Sequence, residues 1–254
     1  MLSALREAGF DVATRNHAEA ILRHDFPAET AELIETLSGF NIATEELIRG
    51  GGGESGQTRR LRRALSQLGW QKHNFVVRTI VDGAEREAVS HEIDHVRRGV
   101  GGMLALEIEW NNKDPFFDRD LENFQRLHAL SAVSVGIIVT RGASLQDGML
   151  PRIRAWMEAA GLETEADLAR LGIGARTAAQ SAAVRRLVDH GMSYPEAFAR
   201  RFVADKFGMA TTHWAKLEAR VRRGVGNPCP LLLIGLPETI LSGGPDSHKL
   251  AELF

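Results

Sequence analysis

The chain has 254 residues with 31 basic and 33 acidic side chains, giving a formal net charge of -2. Such a balance argues against a protein that is basic all over, so any nucleic-acid surface has to be local. The single cysteine, Cys229, excludes an intramolecular disulfide and a cysteine-based zinc cluster, as fits a reducing compartment. The chain lacks a long apolar run and a signal-peptide pattern, which predicts a soluble, cytoplasmic protein with no membrane partner.

Residues 1–50 have helical spacing, with helices predicted at 17–24 and 28–37. The glycines at 50–53 then break the chain and precede a basic helix. No Lys-Ser or Lys-Thr pair follows these glycines, so they do not form a phosphate-binding P-loop. Arginines and helix N-termini both bind phosphate, which predicts a DNA-backbone contact here. A solvated basic face is the open alternative. The candidate DNA contacts on this helix are Arg59, Arg60, Arg62 and Arg63.

The stretch 90–110 carries the strongest chemical pattern in the sequence. A strand over 74–81 and an Asp-Gly turn precede it, and a glycine-rich turn at 99–102 divides it into two predicted strands. Asp94 lies on the first of these strands. Glu107 and Glu109 lie two residues apart on the second, so their side chains share a face. Three converging carboxylates suit Mg²⁺, although a pair of glutamates on a solvated strand face is a common alternative.

The apolar residues around the glutamates favour the metal site, because carboxylates at the edge of a core cost free energy unless they are paired or bind a metal. The pattern resembles the D-x(n)-(D/E)-x-K signature of the PD-(D/E)XK nuclease fold, and in particular the BglII and BstYI group of restriction endonucleases. This resemblance implies that Asp94 and Glu107 are metal ligands, that the Ile108 carbonyl is a main-chain ligand, and that Glu109 occupies the water-activating position.

Glu109 departs from the lysine of the signature and from the glutamine that is usual in the BglII group, whereas BamHI-type sites have glutamate there. Its role is therefore left open between a general base, a second metal ligand, or both. Glu92 and His95 flank Asp94 on what we expect to be the opposite strand face, pointing away from the metal unless the strand bulges.

Residues 118–130 have helical spacing, and 132–140 form an apolar run typical of a buried strand. A strand, helix and strand in succession predict a parallel crossover. We therefore predict an α/β fold with a restriction-endonuclease-like core over 57–141, in which a mixed β-sheet is flanked by helices. Asp118, Asp120 and Glu122 are in the first turns of the helix, where we interpret them as favourable partners of its dipole.

Residues 145–207 are predicted to be a helical insertion or subdomain, with helices at 151–160, 163–171, 175–190 and 195–207. This region could enlarge the DNA-binding surface or a dimer interface, and the sequence does not distinguish between the two. Residues 209–254 are predicted to hold a helix capped by Thr211 or Thr212 and ending at Gly224, followed by a buried strand. By its likeness to the C-terminal part of BglII-type enzymes, this helix is expected to contact DNA through Lys216, Arg220, Arg222 and Arg223.

Together these features predict a single nuclease domain over 1–254 that acts as a homodimeric Type II restriction endonuclease and cuts double-stranded DNA with Mg²⁺. The dimer is implied by the resemblance, and a two-fold protein suits a palindromic site. Two alternatives stay open. One is a repair or recombination nuclease of the same fold, and the other is a non-catalytic DNA-binding protein whose carboxylates are structural.

Overall fold

The computed structural model describes residues 1–49, 55–174 and 176–243. Three parts of the predictions lie outside these residues: the glycine-rich loop before the basic helix, the first residue of the predicted helix 175–190, and the end of the C-terminal segment from residue 244.

The strands lie in a six-stranded sheet and a small two-stranded one. They are β1 (Asp11–Arg15), β2 (Ile42–Ala43), β3 (Gln71–Val81), β4 (Ala84–Gly99), β5 (Gly102–Glu109), β6 (Val135–Arg141), β7 (Leu231–Leu236) and β8 (Leu241–Ser242). In the large sheet the order is β1-β7-β6-β5-β4-β3. The pairs β5/β6 and β6/β7 are parallel and the other three are antiparallel. The predicted α/β class with a mixed sheet is therefore confirmed.

Helices cover both faces of the large sheet. They are α1 (Ser3–Glu7), α2 (Ala18–Asp25), α3 (Pro27–Ser38), α4 (Thr44–Ile48), α5 (Gly56–Gln67), α6 (Phe116–Ala129), α7 (Ala143–Ala159), α8 (Glu165–Arg170), α9 (Ala178–Asp189), α10 (Tyr194–Lys206) and α11 (Trp214–Arg222). The N-terminal helices and α5 pack in one core, while α6 and α11 pack in another. Because both faces are covered, every residue of β6 and β7 is buried, as is typical of parallel strands. None of the helices in the described ranges is long and apolar enough to span a membrane.

The N-terminal region is not wholly helical as predicted, because residues 11–15 form β1. This strand pairs antiparallel with β7, from Asp11 opposite Gly235 to Arg15 opposite Leu231. Its five residues are all partly exposed and show no clear alternation of burial. A local pattern therefore could not reveal it, since its stability comes from a strand more than 200 residues later in the chain.

The predicted hairpin around the glycine-rich turn is confirmed, with the first strand longer than expected at 16 residues. Gly102 has a φ of 134°, and a Cβ there would lie 2.3 Å from the hydroxyl oxygen of Ser134, so only glycine fits. The neighbouring ladder is irregular. Gln71 pairs with Val96 but His73 pairs with Ile93, which leaves one extra residue in β4 between those two positions. This bulge lies at residues 94–95.

The four helices predicted in 145–207 are present as α7 to α10, although α7 begins at Ala143 and contains Pro151. The predicted cap of α11 was wrong. The N-cap residue is His213, which makes no side-chain capping bond, and the helix ends at Arg222. Thr211 does not cap the helix because its hydroxyl instead bonds the Gly208 carbonyl, at 2.7 Å.

Candidate active site

Glu107 and Glu109 are at the end of β5, with only 4% and 3% of their surface exposed. The pairing of β4 with β5 ends at His95 and Leu106, which brings Asp94 beside Glu107. The Asp94 backbone N–H donates to Oε1 of Glu107 at 3.3 Å. The structure thus brings together the three carboxylates singled out in the sequence. Asp94 itself is exposed, so it faces solvent while the two glutamates are buried.

Glu92 does not point away as expected. It is two residues from Asp94, so ordinary strand alternation puts both side chains on one face, and Glu92 lines the same cleft as Asp94 and Glu107. Its carboxylate pairs with Lys72 Nζ at 2.7 Å. His95 is buried, and its Nδ1 lies 3.3 Å from the Leu106 carbonyl oxygen.

Asp120 on α6 is a member of the cluster that the sequence did not reveal. It is 1% exposed, and it lies beside Glu109 rather than serving the helix dipole in solvent. Arg119 Nη2 pairs with Asp120 Oδ1 at 2.7 Å and approaches Glu109 Oε1 at 3.6 Å. The second oxygen, Oδ2, is buried and has no hydrogen-bond partner in the described residues. The interpretation of Asp120 as a helix-dipole residue was therefore incomplete.

Burial and mutual repulsion perturb this carboxylate cluster. Burial, reinforced by the charges of Asp120 and Asp94, raises the pKa of Glu107 well above its usual range. Burial and the charge of Asp120 raise the pKa of Glu109 to about 8. Burial also raises the pKa of Asp120, against the opposing effect of Arg119. Buried carboxylates with too few positive partners require either protons or a cation.

The donor set fits a hard divalent cation. The carboxylates of Asp94, Glu107, Glu109 and Asp120 offer oxygen ligands, and Asp120 Oδ2 accepts no hydrogen bond in the described residues although Oδ1 is paired with Arg119. No group of three or more His, Cys, Asp or Glu side chains in the described ranges is arranged so that it could hold a metal ion by itself. An open arrangement is compatible with Mg²⁺, because this ion commonly binds one or two protein carboxylates and keeps several waters.

Two open clefts meet at this strand end. A cleft of about 520 Å³ lies towards α5 and is lined by Arg62 and Lys72. A second cleft of about 560 Å³ lies towards α6 and is lined by Glu107, Glu109, Arg119, Asn123 and Arg126. Asp94, Ile108 and Asn112 line both. Asp94 is therefore accessible from two sides, whereas Glu107 and Glu109 line only the second cleft, and cations border both clefts.

The four arginines of α5 are all exposed. Arg60 pairs with Glu46 and also donates to the Asn41 carbonyl at 2.8 Å. Arg62 faces the first cleft. These positions are open to a large ligand, and their contact with DNA stays a prediction.

The cations of α11 differ in their surroundings. Lys216 pairs with Asp114 at 3.2 Å, and Arg220, only 7% exposed, pairs with Asp118 at 2.8 Å. This face packs against the start of α6. Arg222 pairs with Glu218 at 2.8 Å, while the Arg223 side chain donates to the carbonyl of Ala219 within the helix. DNA contact by these residues also stays a prediction.

The family model for restriction endonuclease BglII/BglIII matches residues 10–236. The match runs from the residue before β1 to the end of β7, so it includes the sheet, both clefts and the carboxylate cluster. No curated protein matches the chain. The resemblance noted from the residues around Asp94, Glu107 and Glu109 is thereby confirmed. The chain belongs to the BglII/BglIII restriction endonuclease family and is a nuclease that acts on DNA.

Proposed function

We propose that the protein is a homodimeric Type II restriction endonuclease that uses Mg²⁺ to cut double-stranded DNA at a specific sequence. The observation that carries this proposal is the position of Asp94, Glu107 and Glu109 at a strand end where two cation-bordered clefts meet. Such a site admits a polyanion from solvent and presents it to buried carboxylates.

Asp94, Glu107 and the Ile108 carbonyl would hold Mg²⁺. When bound, the ion supplies charge stabilisation at the scissile phosphate and lowers the pKa of bound water. Its charge would also compensate the buried glutamates, whose pKa is raised by burial and by the charges of neighbouring carboxylates.

Glu109 orients the attacking water and accepts its proton. Its Oε2 accepts a hydrogen bond from Asn112 Nδ2 at 2.8 Å, which fixes the carboxylate at the end of β5. Burial raises the pKa of Glu109, and the positive charge of a bound Mg²⁺ would lower it again, which leaves the carboxylate free to accept a proton near neutral pH. Arg119 beside Glu109 is placed to bind a phosphate oxygen.

The DNA backbone is held by Arg59, Arg60, Arg62 and Arg63 of α5 and by Lys216, Arg220, Arg222 and Arg223 near the C-terminus. We propose that residues 1–254 act as one nuclease domain. The pairing of β1 with β7 supports this, because the two ends of the chain contribute neighbouring strands to one sheet. The helical region 145–207 extends either the DNA-binding surface or the dimer interface.

Digestion of plasmid and genome-sized DNA tests the proposal, with EDTA and the Asp94→Asn variant as controls. We expect discrete fragments that share one sequence at their ends, produced only with Mg²⁺, and a dimeric mass by light scattering. A smear or junction-specific cleavage indicates a repair or recombination nuclease instead. DNA binding without nicking indicates a non-catalytic DNA-binding protein.

A further inference from the structure

The loop that follows the catalytic strand is paired with the segment that precedes α11. The Thr212 N–H donates to the Asn112 carbonyl at 2.8 Å, and the Asp114 N–H donates to the Ala210 carbonyl at 3.0 Å. Between these bonds Lys113 and Thr211 form an antiparallel bridge. Two backbone hydrogen bonds, which together form this bridge, therefore connect the segments 112–114 and 210–212, and we call this pairing the junction.

The buried side chain of Arg141 stabilises this junction through hydrogen bonds. It is fully buried, and its Nε donates to the Trp110 carbonyl at 2.7 Å. Its Nη2 donates to the Thr211 hydroxyl at 2.6 Å and to the Thr212 carbonyl at 2.5 Å. One guanidinium thus holds the residue after Glu109 and the two residues that lead into α11. The planar, multiply donating group suits this task better than a lysine ammonium would.

Asn112 connects the junction to the chemistry. Its backbone is part of the junction, and its side chain donates to Glu109 Oε2. A movement of α11 therefore shifts Thr212, Asn112 and the Glu109 carboxylate together. The contact of Lys216 and Arg220 with Asp114 adds a second attachment of the same loop to α11.

We propose that Asn112 is a positioning residue for Glu109, and that Arg141 and Thr211 make its position depend on where α11 lies. This inference rests on the proposed function. It adds that a DNA sequence engaged by α11 is sensed at the water-activating carboxylate through this junction. The junction affects the rate of cleavage more than the affinity for DNA, because Arg141 and Thr212 are fully buried and the Asn112 side chain is bonded to Glu109.

Single-turnover cleavage at the mapped site tests Asn112, with DNA affinity measured in Ca²⁺ and folding checked by thermal unfolding. Loss of one hydrogen bond to a charged group predicts a rate about ten- to a hundredfold lower in Asn112→Ala, with unchanged affinity. Asn112→Gln, which keeps a donor, should recover part of the rate. Asn111→Ala is the matched control, because the Asn111 side chain makes no hydrogen bond within the described ranges.

The dependence on α11 is tested with two adjacent threonines. Thr211→Val removes a hydroxyl that accepts from Arg141 and donates to the Gly208 carbonyl, whereas Thr212→Val removes a buried hydroxyl that has no partner in the described part of the chain. We expect a slower cleavage step in the first variant and a wild-type rate in the second. Adding Thr211→Val to Asn112→Ala should lower the rate less than the product of the two single effects.

The outcomes separate the inference from the proposed function. If the wild-type protein cuts no DNA, the proposed function is wrong, and so is the positioning role that depends on it. If the wild type cuts and Asn112→Ala cleaves as fast as Asn111→Ala, the positioning role alone is overturned. Equal effects of the two threonine variants, or fully multiplicative effects in the double variant, remove the connection to α11.

Discussion

Two buried charged groups lie on neighbouring strands and have opposite surroundings. Glu109 of β5 is opposite Thr140 of β6, and Arg141 is the next residue along β6. Burial lowers the pKa of Arg141 to about 9, which still leaves it charged at neutral pH, and its donors meet neutral oxygen acceptors on several segments. Glu109 and Asp120 instead share one cation, Arg119, and Asp120 Oδ2 accepts no hydrogen bond in the described residues. A buried charged group whose hydrogen-bonding atoms are all paired stabilises the fold. A buried charged group with too few partners can instead bind a ligand or take part in catalysis.

Substitutions in the carboxylate site should have their largest effect on catalysis. Asp94→Asn keeps the shape of the side chain that faces the clefts but removes its charge, so metal binding weakens and cleavage should fall roughly a thousandfold or more. DNA affinity should hold or improve, because the negative charge near the backbone is reduced. Plasmid cleavage with Mg²⁺ and a gel shift with Ca²⁺ measure the two effects on one preparation. A near wild-type rate would remove Asp94 from the site.

Substitution of Arg141 should instead lower the stability of the folded protein. Arg141→Met keeps much of the buried volume but leaves the carbonyls of Trp110 and Thr212 unpaired, at a cost of about 3 kcal/mol or more in the free energy of unfolding. Urea unfolding measures this loss. Gln146→Met, which removes one of the acceptors at the edge of the same network, serves as the milder comparison. An unchanged urea midpoint in Arg141→Met would contradict the structural role.

The carboxylate cluster should also be visible in the pH dependence of stability without metal. The pKa of Glu109 is raised in the folded state, so protonation favours folding, and this contribution is lost as pH rises from about 4.5 towards 8. Relative to the wild type, Glu109→Gln should therefore gain stability with rising pH, on the order of 3 kcal/mol between pH 5.5 and 8.5 at about 1.4 kcal/mol per pKa unit. Urea unfolding in EDTA between pH 5.5 and 8.5 provides the measurement. A constant difference between the two proteins would show that Glu109 is not perturbed.

The smallest expected effects distinguish two arginines near the end of α11. Arg220→Ala removes a nearly buried partner of Asp118 and should cost about 1–2 kcal/mol of stability. Arg223→Ala should leave stability within about 0.5 kcal/mol, because the residue lies exposed at the end of the helix. If Arg223 contacts phosphate, this variant lowers the salt dependence of DNA binding by about one unit of slope. Thermal unfolding and binding titrations at several salt concentrations separate the two roles.

Local pattern was enough to predict the hairpin, the crossover through α6 and the helices of 145–207. The turn glycines, the apolar runs and the helical spacing each act over a few residues, so they can be read from sequence. Contacts between distant segments were not predictable in this way. From the sequence alone, Asp120 is an ordinary acidic residue in the first turns of a helix, and only the packing of α6 against β5 shows that it is buried. In the same way, only the folded structure shows that Arg220 lies beside Asp118. The expectation for Glu92 was wrong for a simpler reason, because a residue two positions from Asp94 shares its face by ordinary strand alternation.

The place of β7 in the sheet has a consequence for synthesis on the ribosome. β7 lies between β6 and β1, although it is the last of the six strands to be translated. Until it emerges, β1 has no neighbour in the sheet and one edge of β6 is open. The segment 210–212, which pairs with the loop beside the carboxylates, also emerges late. A nascent chain that ends before these segments therefore lacks a finished active site, so we expect the nuclease to become competent only after residues 210–212 and β7 have emerged from the ribosome.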